Sequence, residues 1–245
     1  MTPFHRQMEG ITSWCIERAH NEGVPFIWVP HPGDALIGRA RSIMATQFLT
    51  RFPCEYMIFL DSDIEFEPKD LMRLYFDMVD KGHELIGGVY TVRSADQLAH
   101  FGIGGRTILD NQIHEVAYLS TGFMGIAKSL LKRMVEELKL PLCHPKEEHI
   151  NFQCYPFFES GASFFEGANE WIYRSEDWDF CDKARKVGVK PYLDTSILLG
   201  HRGEKMWYVK DLRKDMVEEL PNHHNGIELR DTNPSARNSK KRRKN

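Results

Sequence analysis

The sequence predicts an α/β fold: a mostly parallel sheet flanked by helices on both faces, built as one domain. Two patterns predict it. Short apolar runs of strand length alternate along the chain with stretches whose apolar residues recur at a helical period. Strands that alternate with helices stack into a parallel sheet whose faces the helices cover. The size agrees. A chain of 245 residues that is 42% hydrophobic can build one sizeable core and falls short of two comfortable domains.

The elements follow in order. "GVPFIWVP" (23–30) reads as a strand. Asp34 then caps a helix whose apolar positions fall at Leu36, Ala40, Ile43, Met44 and Phe48. "YMIFL" (56–60) is a buried strand. Pro68 opens the next helix, with Leu71, Leu74, Tyr75 and Met78 on its inner face and Gly82 as its stop. "ELIGGVY" is a strand, and residues 91–118 give no clear pattern. "LSTGFMGIA" reads as a strand leading into the helix "SLLKRMVEELK". Residues 140–174 are aromatic and irregular. Ser175 caps a helix that ends near Gly188, "KPYLD" and "ILLGH" are late strands, and a short helix follows Lys210. The domain spans residues 1–212. Residues 213–245 form a polar, basic tail whose composition predicts disorder.

Charge is unevenly distributed. The net charge is −3, yet "RNSKKRRKN" (237–245) holds six basic residues and no acid. Removing those six charges from −3 leaves −9 on residues 1–236, so the body is acidic and the tail basic. The five cysteines, at 15, 54, 143, 154 and 181, are odd in number and match no zinc or redox spacing. Reduced thiols in a cytoplasmic location are the expectation. No apolar run is long enough to span a membrane, and residues 1–10 lack the apolar middle of a signal peptide.

The stretch "MIFLDSDIEF" (57–66) carries the strongest chemical signal. In α/β sheets, ligands sit at the carboxyl ends of strands, and Asp61 lies at such an end. Asp61 and Asp63, one residue apart, can offer oxygens to a single hard cation such as Mg2+ or Mn2+. Glu65, Glu67 and Asp70 fit a plainer role, because acids favour the first turn of a helix. A second acidic cluster, "SEDWDFCDKARKVG", puts Glu176 and Asp177 in a first helical turn. There they stabilise the helix dipole, and a helix end that projects into a cleft can also supply a general base. His201 sits at another strand end, before Gly203.

The ordered series "GRARS", "FLDSDIEFEP", "IGGVYTVR", "STGFMGIAKSLL", "SEDWDFCDKARKVG" and "GHRG" resembles a small glycosyltransferase of the GT-A (Rossmann-like) fold. It is most similar to single-domain enzymes of phages and large DNA viruses, which are related to family 2 glycosyltransferases. The "ARS" and "DSDI" portions also resemble fungal mannan-polymerase subunits. The likeness covers roughly residues 23–210. It implies transfer of a sugar from a nucleotide-diphospho-sugar donor to the hydroxyl of a glycan or other acceptor, with inversion at the anomeric carbon. It implies Mn2+ or Mg2+ on the diphosphate, held directly by Asp63, with Asp61 near the ribose and metal and His201 as a distal ligand. It implies Asp177 as the base, with Glu176 second, and a sugar pocket lined by Thr121 and Gly122, a pair that reads equally well as a plain tight turn. A leaving nucleoside diphosphate develops negative charge, which a divalent cation offsets. Arg39 and Arg41 can add bidentate phosphate contacts. Two positions apart on a helix do not share a face, so one of the two points elsewhere. Arg41 matches the family's Ala-Arg motif. If the gene is viral, the location is the host cytoplasm.

Relatives open with a full apolar strand ending in Thr-Pro, and this chain begins "MTP". Either the sheet lacks that strand, or the start lies upstream, or residues 23–30 take its place. The aromatic stretch "CYPFFESGASFFEG" reads either as an acceptor-side loop that stacks on sugar rings or as a loop packed on the core. Within it Glu159 and Glu166 are second candidates for the base. Three other functions compete. One is the same fold glycosylating modified DNA bases, steered by the basic tail. Another is a metal-dependent nucleotidyltransferase, against which stands the absence of a basic Gly-rich loop; "GIGG" (102–105) lacks that setting. The third is a non-catalytic nucleic-acid-binding protein, suggested by "KKRRK", whose charge attracts phosphates without reading sequence.

Overall fold

The structure is a computed structural model that describes residues 26–31, 34–92, 98–99, 101–102, 108–145, 152–165, 169–203 and 206–209. The basic tail and the expected helix after Lys210 lie outside the described residues.

Helix α1 spans Ile37–Arg51. Asp34 does help to start it, but from two residues ahead of the N-cap. The cap is Leu36, whose N–H donates to Asp34 Oδ1 at 2.9 Å. Strand β1 is Tyr56–Leu60 and β2 the short Ile64–Glu65. Helix α2, Pro68–Val79, begins at its proline as expected, with a reciprocal capping box between Glu67 and Asp70. Strands β3 (Leu85–Val89), β4 (Phe101–Gly102), β5 (Ile113–Tyr118) and β6 (Phe123–Ala127) follow, and β6 runs straight into α3, Lys128–Leu138. Strands β7 (Gly161–Phe165) and β8 (Glu170–Arg174) form a separate hairpin. Helix α4 is Glu176–Lys186, followed by β9 (Tyr192–Leu198), β10 (Gly200–Arg202) and β11 (Met206–Tyr208).

The main sheet has six strands in the order β1-β6-β3-β9-β5-β4. It is a mixed sheet flanked by helices, and the expectation of a mostly parallel one is corrected. Among the described residues, only β3 and β9 pair in parallel; the other four pairings are antiparallel. Two of the four come from β6, which enters between β1 and β3 and runs against both, and two from β5, which runs against β9 and β4. Strands β1, β3 and β9 therefore still point the same way. Their carboxyl ends, and the amino end of β6, share one edge of the sheet. A three-stranded sheet, β11-β10-β2, extends that edge.

Side chains alternate between two cores, as the two-residue period of a strand requires. Phe59, Leu85, Val89, Met124, Ile126 and Leu193 face α1, α3 and α4, where they meet Phe48, Leu130, Met134 and Phe180. Ile58, Ile86, Tyr90, Phe123 and Ile197 face α2, against Leu71, Leu74 and Met78. Among the described residues, helices cover both faces, three on one and one on the other. At about 25 cal/mol per Å² of buried apolar area, this two-sided burial dominates the stability of the sheet.

Two expectations fail locally. Residues 26–30 form no strand, and Ile27, Trp28 and Val29 are exposed. Prolines at 25 and 30 remove ladder donors at both ends of a four-residue run. Within the stretch read as irregular, β7 and β8 form a regular hairpin.

Candidate active site at the strand ends

The topology brings six of the candidate residues to one edge. Asp61 follows β1 directly, and its N–H donates to the Gly122 carbonyl, just ahead of β6, at 2.9 Å. Leu199 N–H donates to Val89 O at 2.8 Å, which continues the β3–β9 pairing past the strand ends. The β2–β10 pairing sets Ile64 opposite His201, and Arg202 N–H donates to Asp63 O at 2.8 Å.

Arg41 reaches this edge from α1. Its side chain is only 5% exposed and lies between two carboxylates. Nη2 donates to Asp61 at 2.8 and 3.1 Å, and Nη1 donates to Glu176 at 2.7 Å. Burial opposes the guanidinium charge, but Asp61 and Glu176 outweigh it and raise its pKa. Gly38, one turn back on α1, allows this approach: a Cβ there would sit 2.9 Å from Phe158 O. Arg39 points elsewhere, as helix geometry requires, and grips Asp34 through Nε and Nη2 at 3.0 and 2.8 Å. Arg41 thus holds Asp61 and Glu176 in place, and Arg39 stands apart from the cluster.

Asp63 faces His201. His201 Nδ1 lies 2.6 Å from Thr91 O, and Nε2 lies 3.3 Å from Asp63 Oδ2. Tyr90 packs edge-on to the imidazole, with ring centroids 5.5 Å apart. Its hydroxyl accepts the Gly122 N–H at 2.8 Å, and burial raises the pKa of the phenol. Gly122 is required by contact: a Cβ there would meet Tyr90 Oη at 2.6 Å. Thr121 beside it is buried.

Asp177 begins α4 next to Glu176. Its Oδ1 accepts from Ser175 Oγ and, at 2.9 Å, from Trp178 N. Burial raises its carboxyl above the ordinary range, although the Ser175 and Trp178 hydrogen bonds oppose that. Glu159, a second candidate, is tied to Lys183 at 2.7 Å, and Glu166 lies outside the described residues.

Could these side chains hold a divalent cation? Among the described residues no three His, Cys, Asp or Glu side chains form a ready metal cluster. The set Asp61, Asp63 and His201 is split, because Asp61 is turned onto Arg41. The Asp63–His201 pair does suit a cation. Thr91 O can only accept, so Nδ1 carries a hydrogen, and a neutral ring then turns its Nε2 lone pair on a carboxylate oxygen. A carbonyl that holds one imidazole nitrogen as a donor orients the ring so that the other nitrogen can ligate a metal. Thr91 Oγ1, on the same residue as that carbonyl, is buried without a hydrogen-bond partner among the described residues.

Sequence reasoning assigned no role to Tyr90 or Thr91, both in the quoted "IGGVYTVR". Nor did it identify the exposed face of the β7–β8 hairpin. Trp171 and Tyr173 are 71% and 78% exposed, and Phe164 packs on Trp171 at 5.7 Å between centroids. The hairpin runs directly into Ser175, Glu176 and Asp177.

No family model matches the chain, and no curated protein matches it. Among solved structures it is similar to one titled "Crystal Structure of A197 from STIV", at 14% identity and a TM-score of 0.40. The likeness covers 77% of this chain and 78% of that one. No described helix is long and apolar enough to cross a membrane.

Proposed function

We propose that the protein is a metal-dependent glycosyltransferase that moves a sugar from a nucleotide-diphospho-sugar to an acceptor hydroxyl. One observation carries the reading. Asp61, Asp63, His201, Gly122, Arg41 and Glu176 come from five separate segments and converge on one edge of the sheet, where α/β folds bind ligands. Asp63 and His201 would hold Mn2+ or Mg2+, and a nitrogen ligand beside the carboxylate favours Mn2+ over Mg2+. When bound, the ion would offset the negative charge of the leaving diphosphate. Arg41 orients Asp61 and Glu176 and stays between them. Asp177, whose carboxyl is raised by burial, would take the proton from the acceptor hydroxyl. The exposed hairpin aromatics would receive the acceptor.

Calorimetric titration of UDP, GDP, ADP and dTDP, with and without Mn2+, tests this on wild type and Asp63→Ala. Manganese-dependent binding of one nucleotide, lost in the variant, is the expected result. Binding by none of the four would overturn the reading.

A further inference from the structure

Away from the strand-end site, Cys143 and Cys154 face each other across an isolated antiparallel bridge. The bridge is reciprocal. Cys143 N donates to Cys154 O at 2.9 Å, and Cys154 N donates to Cys143 O at 3.0 Å. The arms stay together one residue further on, where the Gln153 side-chain amide meets the His144 ring at 2.5 Å. We propose that Cys143 and Cys154 are a disulfide-forming pair that staples the exit of α3 to the segment packed against α1 and α4.

The geometry supports closure. Residues exchanging both hydrogen bonds have Cα atoms about 5.5 Å apart, inside the disulfide range of roughly 4.4–6.8 Å. Opposed side chains project to the same face with Cβ atoms about 4.5–5.5 Å apart. A disulfide wants about 3.5–4.5 Å, so the arms must close by roughly 1 Å. A bridge outside any larger sheet can give that much. Both thiols are free in the structure, Cys143 partly exposed and Cys154 buried. The exposed Cys143 thiol donates weakly to Pro141 O at 3.7 Å.

The chemistry balances with a small disulfide such as oxidised glutathione as oxidant. Cys143 thiolate attacks one glutathione sulfur and releases one glutathione thiolate. Cys154 thiolate then attacks the Cys143 sulfur, expels the second glutathione and closes the bond. Two protons leave the protein, and the oxidant takes up two electrons. Burial and the neighbouring Cys143 raise the Cys154 thiol and keep it protonated, which leaves the more exposed Cys143 to react first.

The staple would bear on the strand-end site. Immediately after Cys154, Tyr155 N donates to Thr46 Oγ1 at 3.0 Å and Phe158 N to Ser42 Oγ at 3.1 Å, both on α1. Lys183 Nζ, on α4, donates to Pro156 O at 2.6 Å. Segment 154–159 thus links the helix bearing Arg41 to the helix bearing Glu176.

The test is incubation of the native, full-length protein with oxidised glutathione, followed by acid quench, alkylation and non-reducing peptide mapping. The expected product is one Cys143–Cys154 cross-link, reversed by dithiothreitol, with Cys15, Cys54 and Cys181 still alkylated. The oxidised protein should melt roughly 5 °C or more above the reduced one. Cys154→Ser should stop at a glutathione adduct on Cys143. Wild type that keeps all thiols, stops at that adduct, or scrambles its cross-links would overturn the pairing. A cross-link that leaves Tm unchanged would overturn the staple.

Discussion

His201 Nε2 lies 3.3 Å from Oδ2 of Asp63, across 138 positions of sequence. The β2–β10 pairing makes this meeting, and the Thr91 carbonyl fixes the ring's other nitrogen as a donor. The nitrogen facing Asp63 then carries either a second hydrogen or a bare lone pair. The first makes an ion pair, and the second leaves two acceptors for a cation to satisfy. His201→Ala and Asp63→Ala are each expected to weaken manganese-dependent nucleotide binding at least about tenfold, a loss near 1.4 kcal/mol. Titration calorimetry reads it, and unchanged affinity in both variants would remove the pair from the proposed donor site.

Arg41 is the counter-charge for two carboxylates at once. Its removal leaves Glu176, 14% exposed, unpaired, while Asp61 is about one-third exposed and regains some water. Arg41→Ala should therefore cost on the order of 2–4 kcal/mol, at the lower side of what breaking a buried pair costs. Arg41→Lys should recover less than half, because one ammonium cannot span both partners in the guanidinium's fork. Urea denaturation measures both. Full stability of the alanine variant would show that the cluster is not held by Arg41.

Gly122 joins Asp61 to Tyr90, accepting from one through its carbonyl and donating to the other through its N–H. A methyl group there meets Tyr90 Oη at 2.6 Å. Gly122→Ala is expected to cost roughly 1–3 kcal/mol, the usual penalty for overpacking. The double variant Gly122→Ala with Tyr90→Phe should be less destabilised than the two single changes sum to, since the clashing oxygen is gone. Strict additivity in thermal unfolding would place the strain elsewhere.

Trp171 and Tyr173 are too exposed to matter to the fold, so their alanine variants should stay within about 0.5 kcal/mol of wild type. If the acceptor lies on the hairpin, both variants raise the acceptor KM several-fold and leave nucleotide affinity intact. Steady-state kinetics with varied acceptor, beside nucleotide titration, separates the two readouts. An unchanged acceptor KM would take the hairpin out of the site.

Much of this arrangement could be read from residues alone, for physical reasons. Pro68 and the acids around it announced α2 because capping is local chemistry. Asp61 could be placed at a strand end because the run before it is apolar and the residues after it are not. Strand direction could not be read. Runs such as "LIGGV" and "FMGIA" show burial on both faces, and a central antiparallel strand shows the same. The partners of Arg41 and His201 were equally hidden, because long-range pairing leaves no mark on spacing. Hairpin β7–β8 escaped because its aromatic face is turned to solvent, which removes the apolar-polar alternation that marks a half-buried strand.

Asp77 on α2 and Asp194 on β9 form a buried acidic pair with a defined pH signature. Both side chains are almost fully buried. Lys81 pairs with Asp77 Oδ1 at 2.7 Å, and Arg73 pairs with Asp194 Oδ2 at 2.8 Å. Ser196 donates to Asp194 Oδ1 through both N–H and hydroxyl. Asp77 Oδ2 has no donor among the described residues. A proton on that oxygen, shared with Asp194, resolves the contact between two acceptors. Burial first, and Asp194 beside it, push the Asp77 carboxyl up to about 6; burial works against Asp194 as well, but the Ser196, Asp77 and Arg73 donors outweigh it and hold Asp194 below the ordinary range. The signs are opposite. A raised Asp77 stabilises the fold most below about pH 4 and loses that contribution as pH climbs through 6. A lowered Asp194 stabilises above about pH 4 and loses its contribution only in stronger acid. Asp77→Asn supplies a permanent donor to Asp194 without the proton. It should match wild type near pH 4 and exceed it by on the order of 1–3 kcal/mol at pH 7.5, the size of a two-unit shift reduced for relaxation. Urea midpoints at pH 4, 5, 6 and 7.5 read the divergence. A variant less stable than wild type at pH 7.5 would mean that both carboxylates are ionised in the fold, neutralised by Lys81 and Arg73.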